Sequence, residues 1–321
     1  MSVTLIIILI TLSAVVIIAL LLLIFSRLYY NRSVMATLAE LYLRVTEKKL
    51  TERQVREGIP FLPDKNDVPI TLPRRLKKSE KIREININGV QIFDFIGEKC
   101  DTVIIYLHGA GYVRPPRKQH LYFAEKLSNA TGATVKMIIY KKAPNYSYKD
   151  SYAFINEQYL QIRKIYRKVY IAGDSSGGGL ALGVCQSFLD NDTIQPDGII
   201  LMSPWVDLTL NNPDIEKYRK SDPIVQVEND RIWGELWLNG LSATDYKVSP
   251  LFGKTTGLAK TLIFVGTREV LYPDNILLYN KLKENGVDAS IVVGNGLNHV
   301  YPIYPIPEAK KAIERIVHFI S

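Results

Sequence analysis

Between Lys168 and Cys185 the chain runs from Lys168-Val169-Tyr170-Ile171-Ala172, through Gly173-Asp174-Ser175-Ser176-Gly177-Gly178, into Gly179-Leu180-Ala181-Leu182-Gly183-Val184-Cys185. The first run reads as a short buried strand and the last as an apolar helix. Few folds accept such a junction. Its glycines let two backbones approach where a Cβ would not fit, and the turn matches G-x-S-x-G, in which a serine sits on a sharp bend above the end of a sheet. A glycine-rich turn can also serve helix–strand packing alone, so its meaning depends on what else the chain carries. Ser175 is the candidate nucleophile.

Two further segments give the turn its context. Asp101-Thr102-Val103-Ile104-Ile105-Tyr106-Leu107 reads as a strand that leaves through His108-Gly109-Ala110-Gly111-Tyr112. Small residues there let successive N–H groups point into a site. The backbones of Gly109 and Ala110, with Gly111 as a further candidate, are expected to join that of Ser176 as an oxyanion hole. His108 suits a bracing role in this loop better than that of a base. The chain holds four histidines. His120 and His318 fit surface or packing positions, whereas His299 follows the strand Ala289-Ser290-Ile291-Val292-Val293 in a loop, where catalytic groups are commonly held. His299 is therefore the expected general base.

The third member should be a carboxylate lying between serine and histidine in sequence, after another strand. Leu262-Ile263-Phe264-Val265-Gly266 is that strand, and both Glu269 and Asp274 follow it. Glu269 is closer to the strand end. Asp274 comes after a proline and is expected as the N-cap of the next helix; it is kept as the alternative acid.

These segments resemble the hormone-sensitive-lipase-like branch of the α/β-hydrolase fold. Tyr140-Lys141-Lys142-Ala143-Pro144 is similar to that family's Y-R-L-A-P, Ser203-Pro204-Trp205-Val206-Asp207 to its S-P-W-x-D, and Ser249-Pro250-Leu251 to its S-P-L. The chain departs from the family pattern at Ala110, at Ser176 and at Glu269, which stand where glycine, alanine and aspartate are usual. The resemblance, from about residue 83 onward, implies a carboxylesterase or lipase with a Ser-His-acid triad, an acyl-serine intermediate and no cofactor.

Strand spacing agrees. Runs near residues 84–88, 90–96, 102–107, 134–140, 168–172, 198–203, 261–266 and 288–293 predict an eight-stranded sheet, the first two joined by a tight hairpin at Asn88-Gly89. Helices intervene from the third strand on, so the rest should be parallel, with helices on both faces. Serine, acid and histidine then follow the fifth, seventh and eighth strands and converge at the sheet's carboxyl edge.

The amino-terminal segment is of another kind. Residues 5–25 are apolar except for Thr11 and Ser13, and the first charged side chain is Arg27. That length spans a bilayer core, and the basic leader and small-residue cleavage site of a signal peptide are missing. Residues 1–26 are expected to be a retained single-pass anchor, with a cleaved signal and, behind it, a buried soluble helix as the alternatives. Arg27, Arg32, Arg44, Lys48 and Lys49 follow it, which by the positive-inside bias puts the catalytic part in the cytoplasm.

Residues 27–82 are not a plain linker. Leu38, Leu41, Tyr42 and Val45 fall on one helical face, and Thr51 with Gln54 can cap a second helix ending before Pro60. The resemblance implies that such helices help to cap the active site of a catalytic domain at 83–321, together with an insertion at 207–247. There, Trp233 and Trp237 suit a pocket wall or simple core packing equally.

The net charge of +8 has a local source in Arg74, Arg75, Lys77, Lys78, Lys81 and Arg83. Beside an apolar span, such a run suits anionic lipid headgroups. No nucleic-acid module, phosphate-binding loop or metal-ligand cluster is visible, and the expected partners are the membrane and a small-molecule or lipid ester. A peptidase or amidase on the same triad, and a non-catalytic receptor built on the fold, are the alternatives.

Overall fold

The computed structural model describes residues 3–62 and 68–321. Its centre is an eight-stranded sheet in the order β1-β2-β4-β3-β5-β6-β7-β8, formed by β1 (Ile82–Ile87), β2 (Val90–Phe95), β3 (Lys99–Leu107), β4 (Ala133–Ile138), β5 (Lys168–Asp174), β6 (Gly198–Met202), β7 (Thr261–Gly266) and β8 (Ala289–Gly294). β1 and β2 form a hairpin whose Asn88 and Gly89 both take positive φ, as a tight turn matched to strand twist requires. β2 pairs antiparallel with β4, and β3 to β8 are all parallel.

The strands read as near-continuous apolar runs because both faces of the sheet are covered. Val103, Ile105 and Leu107 pack on one side, while Ile104 and Tyr106 pack on the other. The first side carries α5 (Tyr148–Ile165), α6 (Ser175–Asp190), α7 (Val227–Leu238) and α8 (Tyr272–Glu284), and the second carries α4 (Lys118–Thr131) and α9 (Pro307–Ile320). β5, β7 and β8 end together, so the turns that follow them share one edge.

Ahead of the sheet lie α1 (Val3–Ile24), a π-helical turn at Phe25–Tyr29, α2 (Val34–Thr46) and α3 (Glu52–Gly58). Within Thr4–Tyr29 the most apolar 18 residues have a mean hydropathy of 3.3 and are not buried, whereas Ser26, in the turn that follows α1, is buried. Ser33 caps α2 by accepting the N–H of Ala36, and Thr51 and Gln54 form the capping box of α3. α2 departs from the usual amphipathic arrangement. Leu38, Leu41, Tyr42 and Val45 do share a face, but it looks outward, and the residues turned inward are Ala36, Thr37, Glu40 and Leu43. The cause is Glu40, whose carboxylate collects arginines from three segments.

Candidate active site

β5 ends at Asp174 and α6 begins at Ser175, which takes φ +51°. A residue with a Cβ pays roughly 1–2 kcal/mol for that conformation. The surroundings enforce it. A Cβ on Gly177 would stand 2.2 Å from the Leu107 carbonyl oxygen, and one on Gly173 2.3 Å from that of Gly177. These glycines are needed for close approach of β3, β5 and α6, and that approach holds the serine up at the sheet edge.

Ser175 Oγ lies 2.9 Å from His299 Nε2, and His299 Nδ1 lies 3.2 Å from Glu269 Oε2. The three side chains come from turns after β5, β8 and β7. Glu269 is fully buried and accepts a second hydrogen bond from Ser203 Oγ at 2.8 Å. That same hydroxyl accepts the N–H of Val300 at 2.9 Å, so Ser203 ties Glu269 to the loop carrying His299. Asp222 accepts the N–H groups of Val270, Ile224 and Val225 and pins the backbone next to Glu269. Burial alone would push the His299 pKa down, but the Glu269 carboxylate bonded to Nδ1 outweighs it and holds the imidazole above its ordinary 6.5.

Asp274 is not part of this arrangement. It lies in the first turn of α8, whose N-cap is Leu271, and its carboxylate accepts from Asn212 Nδ2 at 2.7 Å. The expected N-cap role fails because the helix starts at Tyr272 and runs through Pro273, which lacks an N–H and suits the first turn.

The loop after β3 is strained, with φ of +138° at Ala110, +68° at Gly111 and +64° at Tyr112. Its donors depart from the expected pattern. Gly109 donates its N–H to Asp174 Oδ1 at 3.0 Å, so this residue braces the elbow where an outward-facing donor was anticipated. A buried carboxylate must be satisfied, and Asp174 also accepts from Tyr106 at 2.6 Å and from His120 Nε2 at 3.1 Å. Ala110 and Tyr112 donate to Ser176 Oγ at 3.1 and 3.3 Å. His108 bonds Gly109 O through Nδ1 at 2.7 Å and stacks on Tyr140. Burial lowers its pKa to about 3, so it stays neutral. His120 is a surprise: it is buried, and its Nδ1 accepts the Arg117 N–H at 2.9 Å, which leaves the Nε2 proton for Asp174.

Residues 104–303 match the α/β-hydrolase fold family. An esterase of Acinetobacter venetianus is 28 % identical over 248 residues, covering 75 % of this chain and 82 % of the esterase. A candidate esterase from Staphylococcus aureus superposes with a TM-score of 0.80 at 28 % identity, covering 86 % of this chain and 95 % of that one. An esterase from the bacterial hormone-sensitive lipase family does so with a TM-score of 0.75 at 25 % identity, covering 90 % and 98 %. This chain belongs to the hormone-sensitive-lipase-like α/β hydrolases. It is a serine hydrolase of the carboxylic-ester class.

The hydrolase encloses a cavity of about 510 Å³ over Ser175 and His299. Its walls are mainly apolar, with Leu62, Val225, Trp233 and Ile303 among them, and Glu47, pairing with Arg117, borders it. The two tryptophans of α7 divide their work. Trp233 faces the cavity with Arg114 over its ring, while Trp237 is fully buried and stacks on Tyr112 at 4.5 Å. Asp230 is a cavity carboxyl that burial raises to about 6.

The segment between α1 and α2 is wired into this hydrolase's loops. Glu40 is bonded by Arg32 at 2.5 Å, by Arg44 at 2.6 Å and by Arg268 at 2.9 Å. Arg268 adjoins Glu269 and donates its backbone N–H to Leu297 O. Arg32 also donates to Gly296 O at 2.7 Å. Both guanidinium groups lie over the ring of Tyr30. Four arginine and glutamate side chains thus join the exit of the apolar helix to the loops that carry Glu269 and His299.

Proposed function

We propose that the protein is a membrane-anchored esterase or lipase that cleaves carboxylic esters through an acyl-Ser175 intermediate, with His299 as base and Glu269 as acid. The observation that carries this reading is the 2.9 Å contact between Ser175 Oγ and His299 Nε2, with Glu269 on the far side of the ring. Neutral His299 takes the Ser175 proton as Oγ attacks the ester carbonyl carbon, and Glu269 stabilises the imidazolium and holds its Nδ1 proton. The intermediate collapses as the alkoxide leaves with the proton from Nε2. Water then repeats the sequence on the acyl-enzyme, releasing the carboxylic acid and restoring Ser175.

The negative oxygen of each intermediate is stabilised by the N–H groups of Ser176 and Ala110. Ser176 opens a helix, where the first N–H groups lack intrahelical acceptors and the helix dipole favours negative charge. Ala110 releases its bond to Ser176 Oγ in favour of the stronger, charge-assisted one. Gly109 supports this loop through Asp174. α3 and α7, with the residues between β6 and β7, act as the cap that shapes the acyl and alcohol pockets. The apolar walls and the esterases among the relatives favour esters over amides.

The apolar helix at Thr4–Tyr29 is read as the anchor, by its length and hydropathy, and the basic residues that follow it favour a cytoplasmic catalytic part. The deciding experiment is hydrolysis of p-nitrophenyl esters from acetate to palmitate by detergent-solubilised full chain, beside Ser175→Ala. Turnover that vanishes in Ser175→Ala supports the reading, and the preferred chain length assigns the acyl pocket. A folded protein that turns over no ester, or a Ser175→Ala variant with normal turnover, overturns it.

A further inference from the structure

On α2 the usual order of a water-soluble helix is reversed. Its polar side, with Thr37 and Glu40, is sunk into the protein, and its outer side carries Met35, Leu38, Leu41, Tyr42 and Val45, between 42 and 87 % exposed. No charged side chain interrupts that face. Positions 35, 38, 42 and 45 follow one stripe along about 15 Å of helix. Contiguous apolar patches of such size are rare on monomers in water and mark contact surfaces.

What covers this one follows from its continuity with α1. Helix α1 exposes most of its described apolar side chains from Leu5 to Ile24, and Phe25, Leu28 and Tyr29 carry that exposure through the turn that ends it. α2 begins only a few residues later and is bound to that turn, through Ser26 Oγ and Thr37 Oγ1 at 2.7 Å. The exposed Arg27 lies before the stripe and the exposed Lys48 and Lys49 after it, where cations meet anionic headgroups. Tyr29 and Tyr42 are of the type that sits at a membrane–water boundary.

We infer that the outer face of α2 is a second membrane contact, seated in the interfacial layer of the bilayer that α1 enters. The inference rests on reading α1 as the anchor. Its consequence is positional: α2 runs directly into Glu47 and Lys48, which line the cavity over Ser175, so the cavity opens beside the lipid surface and suits esters that partition into it.

Single cysteines for spin labelling test this in the full chain reconstituted into vesicles of phosphatidylcholine and phosphatidylglycerol. The background is Cys100→Ser, because Cys100 is exposed and Cys185 is buried. Labels go at Leu38→Cys, Tyr42→Cys and Val45→Cys, at Ile17→Cys on α1, and at Ile165→Cys, which is exposed at the end of α5. Relaxation by oxygen, which concentrates in lipid, is compared with relaxation by a water-soluble nickel chelate. The expected result is an oxygen-to-nickel ratio at 38, 42 and 45 shifted toward that of 17 and away from that of 165. If 38, 42 and 45 match 165 while 17 reports lipid, the α2 contact is wrong and the anchor stands. If 17 also reports water, the anchor reading fails with it. Spin–spin broadening at 38, 42 and 45 would show a second copy of the chain on this face and overturn the lipid assignment.

Discussion

Glu269 stands where aspartate is usual in the resembled family, and its longer side chain is steadied by Ser203 as well as by His299. Glu269→Gln should lower kcat by about a thousandfold or more, measured on p-nitrophenyl butyrate, whereas Asp274→Asn should leave kcat unchanged, since Asp274 faces Asn212. As the proposed base, His299 works only when neutral. Because His299 is held above 6.5, kcat/KM should fall as pH drops through that raised value and level off above it. In Glu269→Gln the carboxylate is gone and burial is opposed only by the charges of Asp222 and Asp174, so the acid limb should move to lower pH. For stability the sign reverses: protonated His299 favours the folded state below pH 6.5, and that contribution is lost as pH rises through the folded value. Ala110, at φ +138°, predicts that Ala110→Gly stabilises the protein by roughly 1 kcal/mol, read as a rise in melting temperature. That Ser175, His299 and Glu269 would meet was legible because each follows a strand in a fixed chain order. Ser203 lay in a visible motif but its partner, Glu269, is far along the chain, and His120 looked like any helix residue. Only the sheet brings these pairs together.

Among the elements, α6 and α2 show opposite limits of pattern reading. The glycines opening α6 announced close packing, and Gly177→Ala should cost about 2 kcal/mol or more in urea unfolding, since the atom struck is the Leu107 carbonyl oxygen. For α2, spacing grouped the apolar residues correctly but could not say which way the group faced. That was decided by Glu40, whose arginine partners lie before α2, on α2 itself and in the turn after β7. Arg32→Ala removes one member of a pair whose side chains are 2 and 6 % exposed, and it should cost about 3 kcal/mol by thermal unfolding in detergent. Truncation separates helix from clamp: removing residues 1–24 should leave the hydrolase active, while removing residues 1–33, with Arg32 and Ser33, should give one that melts lower and turns over ester more slowly.

Across the whole molecule, alternation within each strand dictates two cores, one on each side of the sheet, and the parallel order follows from the helices between strands. This level was the most legible, because burial on both faces leaves long apolar runs and short turns little freedom. The amino-terminal fifth was the least legible, since its partners are loops that only the finished sheet presents. The cluster of Arg32, Glu40 and Arg268 has a bearing on how such a protein can be rearranged. An enzyme hung from its apolar helix by a slack tether could be moved to another tether with its chemistry intact. Here the mounting and the machine share parts: a graft that begins after Glu40 leaves Arg268 without its carboxylate and Gly296 without its donor. The catalytic part is therefore not portable, and any exchange of the proposed anchor has to carry residues 26–44 along with it.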